Sequence, residues 1–330
     1  MNTVERFENT MAFKPIDRLP SLEWCDWWDL TLERWYAEGL PRELPDAAAI
    51  RQHLGLDNHR VWCFTSHRDT CPTPEKHGAA LIRDTNDYQN IKKHLYPDPT
   101  PLKERTANWA AEQKRGQTVV WGALEGYFWG PRALLGIEPH LFAFSDQPAL
   151  MHRINSNLLE WHLQLLEEVC PICTPNLMTV AEDMSYNHGP MLSKTMFDEF
   201  LAPYYRIIVP EMKKHGIIPF VDSDGNVTEL IPWLEEVGFE GILPLERRSG
   251  VDVAQIRRHH PQLKMVGGFD KTVMHLGPQA MRCEFERLLP VMKQGGFIPS
   301  VDHQTPPDVS LAQYQCYVSL LGEYCEKAAR

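Results

Sequence analysis

Asp222 and Asp224 stand two residues apart at the end of the stretch IIPFVDSDGN, residues 217 to 226. Mostly apolar residues running into Asp, Ser, Asp, Gly and Asn form the pattern of a buried parallel strand that delivers polar side chains at its C-terminal end. On a continuing strand the two carboxylates face the same side, the arrangement by which a metal ion or a proton is shared. A helix cap and turn use the same residue types, so the chemistry depends on what else is brought to the same place.

The same coincidence recurs along the chain. Apolar runs stop at Glu23 and Asp26, Glu125, Glu182 and Asp183, Glu246 and Arg247, Asp270 and Lys271, and Asp302 and His303. If these runs are parallel strands, their ends converge on one face and set several carboxylates and one imidazole around one pocket, where mutual repulsion raises some carboxylate pKa values. His303 is followed by the rigid Gln304, Thr305, Pro306, Pro307, which fixes its position. Acids at strand ends also cap following helices, and Asp270 and Asp302 taken singly suit that role equally. Trp27 and Trp28, and Tyr127 beside Glu125, are aromatic residues that either pack a core or wall a pocket.

The elements that must position these groups alternate between short apolar runs and amphipathic helices from Thr118 onward, the sequence form of βα units around a parallel sheet. Strands are expected at 118–124, 177–181, 217–221, 238–245, 263–267 and 296–301, with a further one at 19–24 behind an N-terminal helix carrying Val4, Phe7 and Met11. Pro203 is expected to bend or split the helix that starts at Ser193. Residues 42–117 are rich in Pro, His and charge and read as irregular excursions. The expected fold is one α/β domain over residues 1–330, a (β/α)8 TIM barrel with an N-terminal helical extension.

Lys and Arg number 33 against 44 Asp and Glu, a formal net charge of -11, which excludes nucleic acid and anionic membrane surfaces as partners. The first 20 residues lack the apolar core of a signal peptide, and no run reaches membrane-spanning length. Eight cysteines without disulfide-framework spacing suit reduced thiols, so the expected location is the cytoplasm.

AEDMSYNHGPMLS (181–193), FVDSDGN (220–226), GILPLER (241–247), VGGFDK (266–271) and GGFIPSVDHQTPPDVS (295–310) together resemble the uroporphyrinogen decarboxylase superfamily. The resemblance implies a (β/α)8 barrel and one of two main activities. The decarboxylases of haem synthesis grip propionates with an N-terminal arginine-rich motif. Here that region reads WCDWWDLTLERWY, with only Arg34 nearby and acids in place of cations, so true uroporphyrinogen decarboxylase activity is not expected.

The other activity is methyl transfer to or from cobalamin, in which zinc held by a His-x-Cys pair and a later Cys activates a thiol. Asp222, Asp224 and His303 occupy those three positions here. They form a harder set, still able to bind zinc or another divalent metal but less suited to a metal thiolate; a metal-free acid/base role is equally open.

The expectation is therefore a methyltransferase-like enzyme of a corrinoid system that demethylates a small-molecule substrate, with cobalamin arriving on a partner corrinoid protein or free. Asp222, Asp224 and His303 would assist the leaving group, with Glu182 and Asp183 in support. Trp27, Trp28, Glu125, Tyr127, Tyr186, Glu246, Arg247 and Asp270 would line the substrate site. The alternatives are a metal-free decarboxylase or lyase, for which Arg247 and Lys271 are the cations in view, and a non-catalytic corrinoid- or tetrapyrrole-binding protein.

Overall fold

In the computed structural model, which describes residues 1–329, seven strands form one curled parallel sheet. In chain order the strands are β1 (His59–Cys63), β2 (Val119–Glu125), β3 (Leu177–Ala181), β4 (Ser185–Tyr186), β5 (Gly189–Pro190), β6 (Ile218–Asp222), β7 (Gly241–Leu243), β8 (Lys264–Phe269) and β9 (Phe297–Val301). β4 and β5 make a small antiparallel hairpin, and the sheet runs β1-β2-β3-β6-β7-β8-β9 with every pair parallel. Helices connect successive strands, as parallel neighbours require. All seven C-terminal ends therefore lie on one side.

The inward face is fixed by alternation. Val119 and Trp121, Leu177, Phe220, Leu243, Val266 and Ile298 make a cluster inside the curl, and Phe7 and Met11 of the helix Thr3–Met11 join it from the N-terminal end. With a period of two, the inward series continues to Glu125 on β2, to Ala181 on β3 with Asp183 beyond it, and to Asp222 on β6. Inward register thus turns these particular acids toward the mouth. The larger core lies outside the sheet, between strands and helices.

Residues 19–24 do not form a ladder strand, contrary to the sequence expectation. They run extended between the two edges of the sheet, held by the Arg18–Asp57 ion pair and the Asp57 N–H to Ser21 O bond near β1, and by Glu23 and Trp24 at β9. Pro20 within the run supplies no donor, and side chains replace the ladder. The Glu23 carboxylate, 1% exposed, accepts bonds from Ser300 Oγ, from Val301 N at 3.0 Å and from Tyr314 Oη at 3.0 Å. β1, by contrast, lies in the region expected to be irregular. The helix that follows Ser193 is split at Leu201 into Lys194–Phe200 and Ala202–Lys214, with Pro203 in the first turn of the second. No helix among the described residues is long and apolar enough to cross a membrane.

Removing the Glu23 carboxylate strands three buried donors at the junction of the sheet edges. Glu23→Ala is expected to lower the unfolding free energy by about 2 to 4 kcal/mol, measured by urea denaturation; a loss below about 0.5 kcal/mol, the level of an ordinary surface substitution, would contradict this account.

Candidate active site at the strand ends

Three carboxylates converge at the mouth of the sheet. One oxygen each of Asp183, Asp222 and Asp224 lies within 4.8 Å of the others, and all three residues are half-buried. Asp222 ends β6 and pairs in register with Ala181 of β3, which places Asp183 just beyond the same register line. The Asp224 N–H donates to Asp183 Oδ1 at 3.3 Å. His303 stands across from them, its Nε2 3.5 Å from Asp224 Oδ2. Its Nδ1 accepts the Gln304 N–H at 2.9 Å, so the neutral ring carries its proton on Nε2 and presents it to Asp224.

Crowding raises the proton affinity of Asp183 and Asp222. Burial, and then the Asp224 charge, push Asp183 up to about 6. Burial with the Asp183 and Asp224 charges holds Asp222 well above the usual carboxylate range. Like charges at this spacing are relieved by a proton or by a cation. As a donor set, three carboxylates beside an imidazole fit a hard or borderline divalent ion, and they do not fit the thiolate-rich zinc set of the resemblance.

Other acids of the expected ring hold loops instead. Glu182, fully buried, accepts from the N–H groups of Tyr127 at 2.8 Å, Phe128 at 2.7 Å and Trp129 at 3.1 Å, and from Tyr205 Oη; burial pushes it up to about 7 against those bonds. Gly126 is required above it, because a Cβ there would lie 1.9 Å from the Glu182 carboxyl carbon. Glu246 accepts from Gly225 N at 2.8 Å and from Ser249 Oγ at 2.9 Å, and Gly225, at φ +82°, brings that turn against the Tyr186 backbone. Asp302 accepts from Arg247 N and Lys271 N, and Asp270 caps the turn at Thr272 and pairs with Arg248. Burial raises Asp302 to about 6.

The remaining expected residues separate as well. Glu125 accepts the Ser66 N–H at 3.1 Å and lies 3.7 Å from His67 Nδ1; burial alone would raise its pKa, but His67 and Ser66 hold it below the ordinary value. Trp27 and Tyr127 pack in the core instead of lining a pocket: Trp27 against Trp35 and Tyr314, Tyr127 against Tyr204 and Tyr205. Trp28 and Tyr186 are exposed. Arg247 spends its guanidinium on Val251 O.

Sequence reasoning missed the wall of the site. An open cavity of about 700 Å³ lies beside Asp183, bounded by the excursion after β1 with His67, Arg68 and Cys71, and by Trp129 and Arg132. Arg132 Nη1 donates to the Asp183 carbonyl at 3.1 Å. An isolated arginine in the apolar run PRALLG carried no pattern that would have pointed to it.

A curled parallel α/β sheet with its polar cluster at the strand ends is the architecture of a large class of barrel enzymes. The sequence model of the family described as Uroporphyrinogen decarboxylase (URO-D) matches residues 80–324, and the chain belongs to that family. Two proteins called uroporphyrinogen decarboxylase, from two strains of Pseudomonas fluorescens, are similar to parts of it. One is 29% identical over 129 residues, 37% of this chain and 35% of the relative; the other is 27% identical over 175 residues, 50% and 46%. The chain thus spans less than half the length of these relatives. A methyltransferase from Methanosarcina mazei shares the fold, with a TM-score of 0.67 at 14% identity over 98% of this chain and 99% of that one.

Asp183 has a folded pKa raised above its unfolded value, so the stability it contributes is present below about pH 4 and is lost as pH rises through about 6. In chelator, Asp183→Asn is expected to gain stability relative to the unmodified protein between pH 4 and 6 and to stay level above, measured by urea midpoints. A relative loss across that interval would contradict the crowding.

Proposed function

We propose that the chain is a methyl-transferring enzyme of a corrinoid-dependent system that demethylates a small molecule. The observation that carries this reading is the convergence of Asp183, Asp222 and Asp224 within 4.8 Å at the strand ends, with His303 3.5 Å from Asp224. Two of these acids and the imidazole stand where the resemblance to methyltransferases places metal ligands. The fold shared with a methyltransferase is compatible with the reading but does not carry it.

Demethylation by displacement leaves an anionic oxygen, nitrogen or sulfur that departs poorly without help. A divalent ion held by Asp183, Asp222 and Asp224, with zinc the first candidate, would supply Lewis acidity toward that leaving group. Where no ion is bound, Asp222, whose proton affinity burial and the neighbouring charges raise, would offer a proton to the leaving atom instead. His303, polarised against Asp224, restores that proton from solvent. Glu182 and Glu246 are positioning residues that fix the loops on either side. Cobalamin would come on a partner corrinoid protein or free, docking over the open mouth. Residues 19–24 would stand in the eighth position of a (β/α)8 barrel formed by residues 1–330, and the expected setting is the cytoplasm.

A second reading, a metal-free decarboxylase or lyase, is favoured by one observation, the two arginines Arg68 and Arg132 on the cavity wall. Elemental analysis and a cob(I)alamin assay separate the two. About one equivalent of divalent metal, lost in Asp224→Ala and Asp222→Ala, is expected. Methylation of cob(I)alamin by a member of a panel of O-, N- and S-methyl compounds is expected to fall about a hundredfold or more in the same variants. A metal-free protein that methylates no cob(I)alamin but releases carbon dioxide from a small acid would replace the first reading with the second.

A further inference from the structure

The cavity beside the carboxylates has a cationic, aromatic side that leaving-group assistance does not use. The Arg132 guanidinium lies 5.1 Å from the centroid of the Trp129 ring and donates through Nη1 to the Asp183 carbonyl. Those two contacts fix its plane, and its other N–H groups have no protein hydrogen-bond partner among the described residues. Across the cavity Arg68 is anchored in the same manner, Nε to Leu95 O at 2.8 Å and Nη2 to Tyr96 O at 2.9 Å. Both guanidinium groups are thus held by neutral carbonyls, with no carboxylate forming an ion pair with either. An arginine fixed this way keeps its charge and part of its fork for a ligand, and planar bidentate recognition of an oxyanion is what that fork does best.

Two such arginines around one cavity are conspicuous in a chain of net charge -11. The acid of the lining outside the trio, Asp69, is exposed to solvent, as is Arg68 beside it. Trp129 adds an apolar ring face beside Arg132, and the volume of about 700 Å³ suits a small molecule rather than a macromolecule. Anchor and chemistry are also coupled covalently: the residue whose carbonyl holds Arg132 is Asp183, whose carboxylate joins the trio.

We propose that the cavity takes a small, flat molecule with a carboxylate or comparable planar oxyanion, gripped by Arg132 with help from Arg68, its body against Trp129. This rests on the reading of the strand-end cavity as the substrate site; it holds for methyl transfer and for decarboxylation alike. Arg132 and Arg68 are then binding residues that select the charged substrate and orient its other end toward Asp183, Asp222 and Asp224.

The test is calorimetric titration of the full chain, in chelator, with benzoate and with its neutral isostere benzamide. Benzoate is expected to bind about tenfold or more tightly than benzamide, as a charge-assisted pair of hydrogen bonds requires. Arg132→Gln is expected to abolish the preference, and Arg132→Lys and Arg68→Gln to reduce it. Equal affinity for the two probes, no binding of benzoate, or an undiminished preference in Arg132→Gln overturns the proposal. If Arg132→Gln does not fold, the unmodified protein and Arg132→Lys decide it, an undiminished preference in the lysine variant counting against the fork. Metal content and methyl transfer are measured separately, so a protein that lacks both yet prefers benzoate sinks the methyl-transfer reading and leaves this one standing.

Discussion

The buried Glu182 carboxylate is the fixed point from which the site is built. It gathers three successive backbone N–H groups of residues 127 to 129 and the Tyr205 hydroxyl, satisfying donors that would otherwise be stranded under the strand ends. One residue further on, Asp183 turns into the mouth. One turn beyond the gathered loop, Arg132 reaches back to the Asp183 carbonyl. A single acid that never meets solvent thus sets the spacing between the carboxylate cluster and the arginine on the cavity wall. The Gly126 backbone has to pass directly over it, which leaves no room for a side chain there.

Strand register sorts the acids in part, and the donors each one meets sort the rest. Inward positions on β2, β3 and β6 deliver Glu125, Asp183 and Asp222, whereas Glu182 turns outward into a dry layer. Asp270 takes a backbone N–H of the loop it begins, whereas Glu246 and Asp302 take those of neighbouring loops, at Gly225 and at Arg247 and Lys271. The acids that hold loops are saturated by donors. Asp183 and Asp222 are crowded at the mouth instead, and the energetic cost of that crowding is what makes them receptive to a proton or a cation.

Much of this order was legible in the sequence. The apolar runs of β2, β3, β6, β8 and β9 and the acids after them could be placed from pattern alone, because strands buried on both faces read as continuous apolar segments. β1 could not: HRVWC mixes polar and apolar residues inside a stretch rich in Pro, His and charge, and lies at the edge of the sheet, only partly buried. Residues 19–24 look like a strand for the opposite reason, since their apolar side chains are buried while their backbone bonds go to Cys325, Asp57 and the Ser300 hydroxyl. Adjacent acids at 182 and 183 cannot be sorted without knowing which way the strand faces. Trp27 and Tyr127 carry the same composition signal whether they pack a core or meet a ligand. Arg132 gave no signal at all, because its role depends on a cavity that exists only once residues 64 to 83 fold over the mouth.

That last segment belongs to the connection between β1 and β2, not to the sheet or to the loops that carry the three aspartates. Its backbone leans on the rest through few points, among them the His67 bridge to Leu95 and the bonds of Leu81 and Ile82 to Leu134. The side of the lining that carries His67, Arg68 and Cys71 is therefore encoded in a piece of chain separate from the reactive centre, while Trp129 and Arg132 stay tied to it. Over evolutionary time the first can be rewritten, lengthened or exchanged to admit a new compound while the second is left untouched. Such a molecule changes its diet without relearning its chemistry.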